Sequence, residues 1–76
     1  MTSSELLNLI LARLVRAEGG SRQRWRRALG DVRVYSLATH PHCNWDLRSS
    51  GTGTELRAIE HVLDWARSTH PHVLGD

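Results

Sequence analysis

Two copies of the tetrapeptide Thr-His-Pro-His, at residues 39–42 and 69–72, are the most unusual chemical feature of the sequence. Together with an adjacent cysteine they supply five imidazole or thiol groups that could bind zinc: His40, His42, Cys43, His70 and His72. A structural zinc ion is held by four such groups in a tetrahedron, and metal binding contributes directly to folding. The alternative is structural, because proline ends a helix and a histidine at a helix C-terminus interacts favourably with its dipole. A zinc-stabilised module is therefore one hypothesis for this chain.

A second candidate site is the segment Ser-Arg-Gln-Arg-Trp-Arg-Arg at residues 21–27. Its candidate binding residues are Arg22, Arg24, Trp25, Arg26 and Arg27. Guanidinium groups bind phosphate or carboxylate through paired N–H groups, and an aromatic ring can stack on a nucleic-acid base. The segment is therefore predicted to bind an acidic protein surface or nucleic acid. The alternative is an amphipathic helix in which the tryptophan is buried and the arginines are merely solvated.

Groups suited to catalysis are sparse. Cys43 follows His42, and a thiolate beside an imidazole can act as a nucleophile. Strand alternation, however, places Cys43 on the same face as Trp45 and Leu47, where a buried thiol is inert. The polar loop at residues 49–54 is expected to be a flexible connection. The sequence therefore predicts a protein that is not an enzyme.

Composition limits the class of protein further. The chain has 76 residues, of which 39% are hydrophobic and 24% charged, as expected for one small folded domain. Its longest apolar run, residues 9–12, is too short for a transmembrane helix, so no membrane association is expected. A single cysteine is consistent with a reducing cytoplasm. All ten basic residues are arginine, a usage typical of GC-rich bacterial genomes.

The first element that would position these groups is a helix over residues 3–18. Thr2 and Glu5 fit a capping box, and a glycine pair at residues 19 and 20 ends the helix. Apolar residues cover about half of its circumference, which is more than one short helix needs. Leu9 lies outside the main stripe, between arginines. Either this apolar excess is buried from two sides, or Leu9 and Val15 extend into a dimer interface. A homodimer is the prediction.

The rest of the chain predicts an α+β domain with the order α-α-β-β-α. A short helix over 22–29 precedes strands at 31–38 and 43–48, which alternate apolar and polar residues and form an antiparallel hairpin. The last helix is predicted over 54–69, capped by Thr52 with Glu55 or by Thr54 alone. Helices would pack on the hairpin, and residues 73 and 74 could add a short edge strand.

The charge distribution weakly indicates an anionic partner. The net charge is +2, but residues 1–30 hold six arginines and two acids, giving +4, whereas residues 31–76 hold four arginines and six acids, giving −2. The leading hypothesis is a small non-catalytic interaction module that binds a protein partner, as a homodimer. A nucleic-acid-binding regulator using segment 22–27 and the zinc-stabilised module are the alternatives.

Overall fold

The computed structural model describes residues 1–75 as three helices and a two-stranded antiparallel sheet. In chain order the elements are α1 (Ser3–Glu18), α2 (Arg22–Leu29), β1 (Val32–Val34), β2 (Trp45–Leu47) and α3 (Gly53–Thr69). The predicted α+β class and the order α-α-β-β-α are confirmed. Within the described residues, none of the helices combines the length and hydrophobicity needed to cross a membrane.

Side-chain caps define where the helices begin. The backbone N–H of Glu5 donates to Thr2 Oγ1 at 3.2 Å, and the N–H of Thr2 donates back to Glu5 Oε1 at 3.0 Å. Thr52 and Glu55 form the same reciprocal box before α3, and the Ser21 hydroxyl accepts a backbone N–H at the start of α2. These boxes satisfy free amides of the first turn, so local sequence alone fixes the helix starts.

Helix α1 is the centre of the core and packs against α2, α3 and β1. Its buried stripe consists of Leu6, Ile10, Leu11 and Leu14. This stripe belongs to one core cluster with both buried tryptophans and the apolar face of α3: Trp25, Ala28, Leu29, Trp45, Leu47, Ile59, Val62, Leu63, Ala66 and Val73. Burial from several sides accounts for most of the apolar excess on α1, but Leu9 remains only half-buried.

The hairpin is shorter than predicted. Each strand has three residues, paired as Val32 with Leu47, Arg33 with Asp46 and Val34 with Trp45. One further bond, from the N–H of Tyr35 to Asn44 O at 2.7 Å, continues the ladder before the chain turns. The carbonyl of Ser36 then accepts the N–H groups of Thr39 and His40. The predicted strands 31–38 and 43–48 are therefore too long, because a local turn takes their outer residues.

The C-terminal segment does not extend the sheet. Leu74 instead forms a single parallel bridge with Thr2. The N–H of Ser3 donates to Leu74 O at 2.8 Å, and the N–H of Leu74 donates to Met1 O at 2.9 Å. The edge strand expected at residues 73 and 74 is thus replaced by a contact between the two ends of the described chain.

Candidate functional site

Trp25 in the arginine-rich segment is a core residue. Its side chain is only 5% exposed, and its indole N–H donates to the carbonyl oxygen of Gly19 at 2.8 Å. A buried ring has no open face for a nucleic-acid base to stack on. Burial of the ring argues against stacking of Trp25 on nucleic acid and agrees with the buried tryptophan of the amphipathic alternative.

Three of the four arginines on α2 are engaged within the protein. The pairs are Arg22 with Asn8 Oδ1, Arg24 with Glu55 Oε2 at 2.9 Å, and Arg26 with Asp31 Oδ1 at 2.8 Å. Arg26 also donates to the Gly30 carbonyl oxygen at 2.9 Å. These contacts tie α2 to α1, α3 and the start of the hairpin. Arg27 is exposed and forms no ion pair with any described residue.

The carboxylate of Glu55 combines two roles. It accepts the backbone N–H of Thr52 in the capping box and receives the guanidinium of Arg24. The Thr52 backbone hydrogen bond, followed by the Arg24 hydrogen bond, lowers the pKa of Glu55 below its ordinary value of 4.5. The charged form of Glu55 is thus the one that stabilises the junction of α2 and α3.

The two Thr-His-Pro-His segments lie side by side. The N–H of Asn44, just after the first copy, donates to Pro71 O of the second copy at 3.0 Å. In addition, His72 Nε2 donates to the carbonyl oxygen of Pro41, 2.6 Å away. The sequence left open whether these copies meet, and the hydrogen bonds show that backbone carbonyls hold them together.

The side chains of these segments do not converge on a common point. The ring of His40 stacks on Tyr35 with centroids 4.4 Å apart, and His70 makes an edge contact with Trp65 at 6.0 Å. Cys43 is half-buried and donates weakly to the Trp45 carbonyl oxygen, while His42 is exposed. Among residues 1–75, no three His, Cys, Asp or Glu side chains are close enough to hold a metal ion. The five predicted zinc ligands are therefore not gathered into a site.

Asn44 is a buried polar residue that the sequence did not single out. Its side-chain amide donates to Val73 O at 2.8 Å and to Tyr35 O at 3.2 Å, and its Oδ1 accepts the N–H of Val73 at 2.8 Å. Strand alternation predicts that Asn44 faces solvent, but it lies just before β2 and turns inward, 3% exposed. This side chain joins the hairpin to the C-terminal segment.

A concave surface lies between α1 and α3. We call it the α1–α3 groove, and it is lined by Leu9, Ala12, Arg13, Arg16, Ala17 and Trp65. Its volume is about 500 Å³. Leu9 was predicted from the helical wheel to contact a partner, and Ala12, Arg13 and Arg16 follow it at helical spacing on the same face. Trp65 joins them only because α3 packs beside α1.

The charged side chains that line the groove, among the described residues, are both arginines. The guanidinium carbon of Arg13 lies 3.8 Å from the centroid of the Trp65 ring. Arg16 is exposed and forms no ion pair with a described residue. Within residues 1–75, no acidic side chain lines the groove. An apolar floor with two guanidinium groups can bind a partner non-covalently through combined hydrophobic and charged contacts.

Large exposed apolar side chains also occur on the hairpin and near the two ends of the described chain. They are Met1, Val34, Tyr35, Leu37 and Leu74, a set that we call the apolar end. The Asn44 amide bonds both the Tyr35 and the Val73 carbonyl oxygens, which brings these segments together. Leu74 is the most exposed member, at 66%. Large apolar side chains grouped on a surface commonly mark interaction sites.

Comparisons with protein-family models, with curated proteins and with solved structures found no match.

Proposed function

We propose that this protein is a small non-catalytic module that recognises a protein partner through the α1–α3 groove. The observation that carries the proposal is the half-buried pair Leu9 and Trp65, set beside arginines that have no carboxylate partner in the described structure. Tryptophan and arginine are the residues most enriched in the energetic centres of protein interfaces. A nucleic-acid function has less support, because three arginines of α2 are engaged internally and Trp25 is buried.

The proposal is tested by site-specific photo-crosslinking in the cells that produce the protein. A photoreactive amino acid at Ala12, which is exposed in the groove, should give an adduct with one discrete protein. The same group at Glu60, which is exposed on α3 outside the groove lining, is the matched control and should give none. The substitution Leu9→Glu should abolish the adduct at Ala12 while leaving the helical circular dichroism spectrum intact. Equal adducts at both positions, or none at Ala12, would contradict the proposal.

The proposed homodimer fits the apolar end better than the groove. A two-fold axis through the groove would place Arg13 and Arg16 of one copy against the same residues of its partner, and like charges oppose such contacts. The five side chains of the apolar end are uncharged, so contact between two copies of this set brings no like-charged side chains together. Sedimentation equilibrium should therefore show that Leu37→Glu shifts a dimer to monomer, whereas Leu9→Glu does not. If the dimer dissociates only with Leu9→Glu, the dimer interface lies on α1 and not at the apolar end.

The proposed compartment is the reducing cytoplasm. Its support is the single, half-buried Cys43, which has no second cysteine in the chain with which to form a disulfide.

A further inference from the structure

The shape of the α1–α3 groove suits a helix. Leu9 to Arg16 spans two turns of α1, about 10 Å along its axis. Ala12 and Ala17 are small, so a helix lying along the groove could approach α1 at the usual interaxial distance of about 8–10 Å. Grooves between two helices commonly accept the apolar face of an amphipathic partner helix, which presents its anchors at helical spacing.

The charge around the groove selects an acidic occupant. Arg13 and Arg16 lie in it, and the exposed His61 and Arg57 precede Trp65 on α3 by one and two turns on the same side. The two acids of α1, Glu5 and Glu18, are not among the residues that line the groove, and the Glu5 carboxylate accepts the capping N–H at 3.0 Å. Complementary charge increases the association rate and excludes partners of the wrong sign.

Arg13 is already held in a geometry that can bind a carboxylate. Its guanidinium lies over the Trp65 ring, with the guanidinium carbon 3.8 Å from the ring centroid. An arginine held against an aromatic ring retains N–H donors in the plane of its guanidinium, and these match a carboxylate bidentately. Because the ring restricts the Arg13 side chain, less conformational entropy is lost when a partner binds.

We infer that the occupant of the α1–α3 groove is an acidic amphipathic helix of a partner protein. Its apolar stripe packs on Leu9 and Trp65, and its flanking carboxylates bind Arg13 and Arg16. This inference rests on the proposed function and adds the chemistry of the partner. A second copy of this chain is disfavoured, since α1 would bring its own arginines, and the exposed carboxylates Glu60 and Asp64 of α3 are paired with Arg67.

The probe is a synthetic amphipathic peptide of about 15 residues, the length at which isolated helices become marginally stable. It carries leucines at helical spacing and glutamates elsewhere. One matched peptide replaces every glutamate by lysine, and another replaces every leucine by serine. Binding is followed by anisotropy of a labelled peptide and by acrylamide quenching of tryptophan fluorescence. Because Trp25 and Trp45 are only 5% and 2% exposed, the quenching reports chiefly on Trp65.

The leucine–glutamate peptide should bind and shield Trp65 from acrylamide, and both matched peptides should bind at least about tenfold more weakly. Arg13→Gln and Arg16→Gln should each weaken binding about tenfold, the effect typical of losing one charge-assisted hydrogen bond. Arg33→Gln, on the exposed side of β1, is the matched control and should leave the affinity unchanged.

Equal affinity for the glutamate and lysine peptides, or equal losses in Arg13→Gln and Arg33→Gln, would overturn the inference. If no peptide binds while the crosslink at Ala12 persists, the acidic helix is refuted and the proposed function stands. Absence of both signals would refute both. Salt-sensitive binding of a short DNA duplex that is lost in Arg13→Gln would replace the acidic helix with nucleic acid as the partner class.

Discussion

Removing the Asn44 side chain should destabilise the protein more than any exposed polar substitution. In Asn44→Ala the N–H and C=O groups of Val73 each lose a partner at 2.8 Å, and Tyr35 O loses one at 3.2 Å. Val73 is 3% exposed, so water does not readily replace these bonds. The hairpin and the C-terminal segment would then be joined mainly by backbone contacts and by the Trp45 indole bond to His70 O.

The size of the effect follows from the number of bonds. Each neutral hydrogen bond contributes about 1 kcal/mol net, and a buried group left without a partner costs about 1–3 kcal/mol. Three lost bonds therefore predict a loss of about 3 kcal/mol in the free energy of unfolding. In a domain of this size each kcal/mol lowers Tm by about 4–8 °C, so the expected decrease is roughly 12–24 °C.

The assay is urea and thermal unfolding followed by circular dichroism and tryptophan fluorescence. Asn8→Ala is the matched control, because Asn8 is exposed and accepts one hydrogen bond from Arg22. This substitution should lower the free energy of unfolding by no more than about 0.5 kcal/mol. Asn44→Asp conserves shape, but its ionised carboxylate lacks the donor that the Asn44 amide supplies. Burial should raise the pKa of the new carboxyl, so its stability deficit should grow as pH rises through about 4. A decrease in Tm for Asn44→Ala no larger than that of the control would refute the reasoning.

Three further predictions concern a backbone position, acid sensitivity and metal. Gly30 has φ +74° and a Cβ there would lie 2.9 Å from Arg48 O, so Gly30→Ala should lose about 2 kcal/mol in thermal unfolding while Gly53→Ala stays near wild type. Glu55 has a lowered pKa, so its stabilisation should be present at neutral pH and lost as pH falls below 4.5. In melting curves, the Tm of Glu55→Gln should decrease less than that of the wild type as pH falls below 4.5. Identical dependence of Tm on pH in the two proteins would contradict this role of Glu55. Adding a chelator should leave Tm unchanged. A decrease in Tm would instead support the zinc hypothesis.

The helices could be predicted because their signals are local. The boxes at Thr2 and Thr52 and the cap at Ser21 lie within four residues of the groups they bind. The strand ends could not be predicted, because their limits depend on tertiary contacts. The apolar alternation continues past Val34, but Asn44 turns inward to the distant Val73, which no periodicity in the sequence indicates.

The candidate site was predictable only in part. The helical wheel places Leu9 between arginines, and in the structure Leu9 lines the α1–α3 groove with Arg13 and Arg16. The arginine cluster on α2 looked equally suited to binding, because sequence shows charge but not the partner of each charge. Glu55 lies 31 residues beyond Arg24 and still neutralises it. Trp65 lines the groove because α3 packs beside α1. Residue spacing along one helix does not show which residues of another helix lie next to it.

The bridge between Thr2 and Leu74 has a consequence for folding during synthesis. A ribosome completes α1 long before α3, and the leucines of α1 have no α3 surface to pack on until then. Joining residues 1 and 2 to Leu74 closes the longest loop in the described domain, so we expect this contact, with its large closure entropy, to form late. A nascent chain halted before Val73 could hold its three helices but would lack the Asn44 bonds. Chains that lack residues 73–75 should therefore open more readily to proteases than chains that contain them.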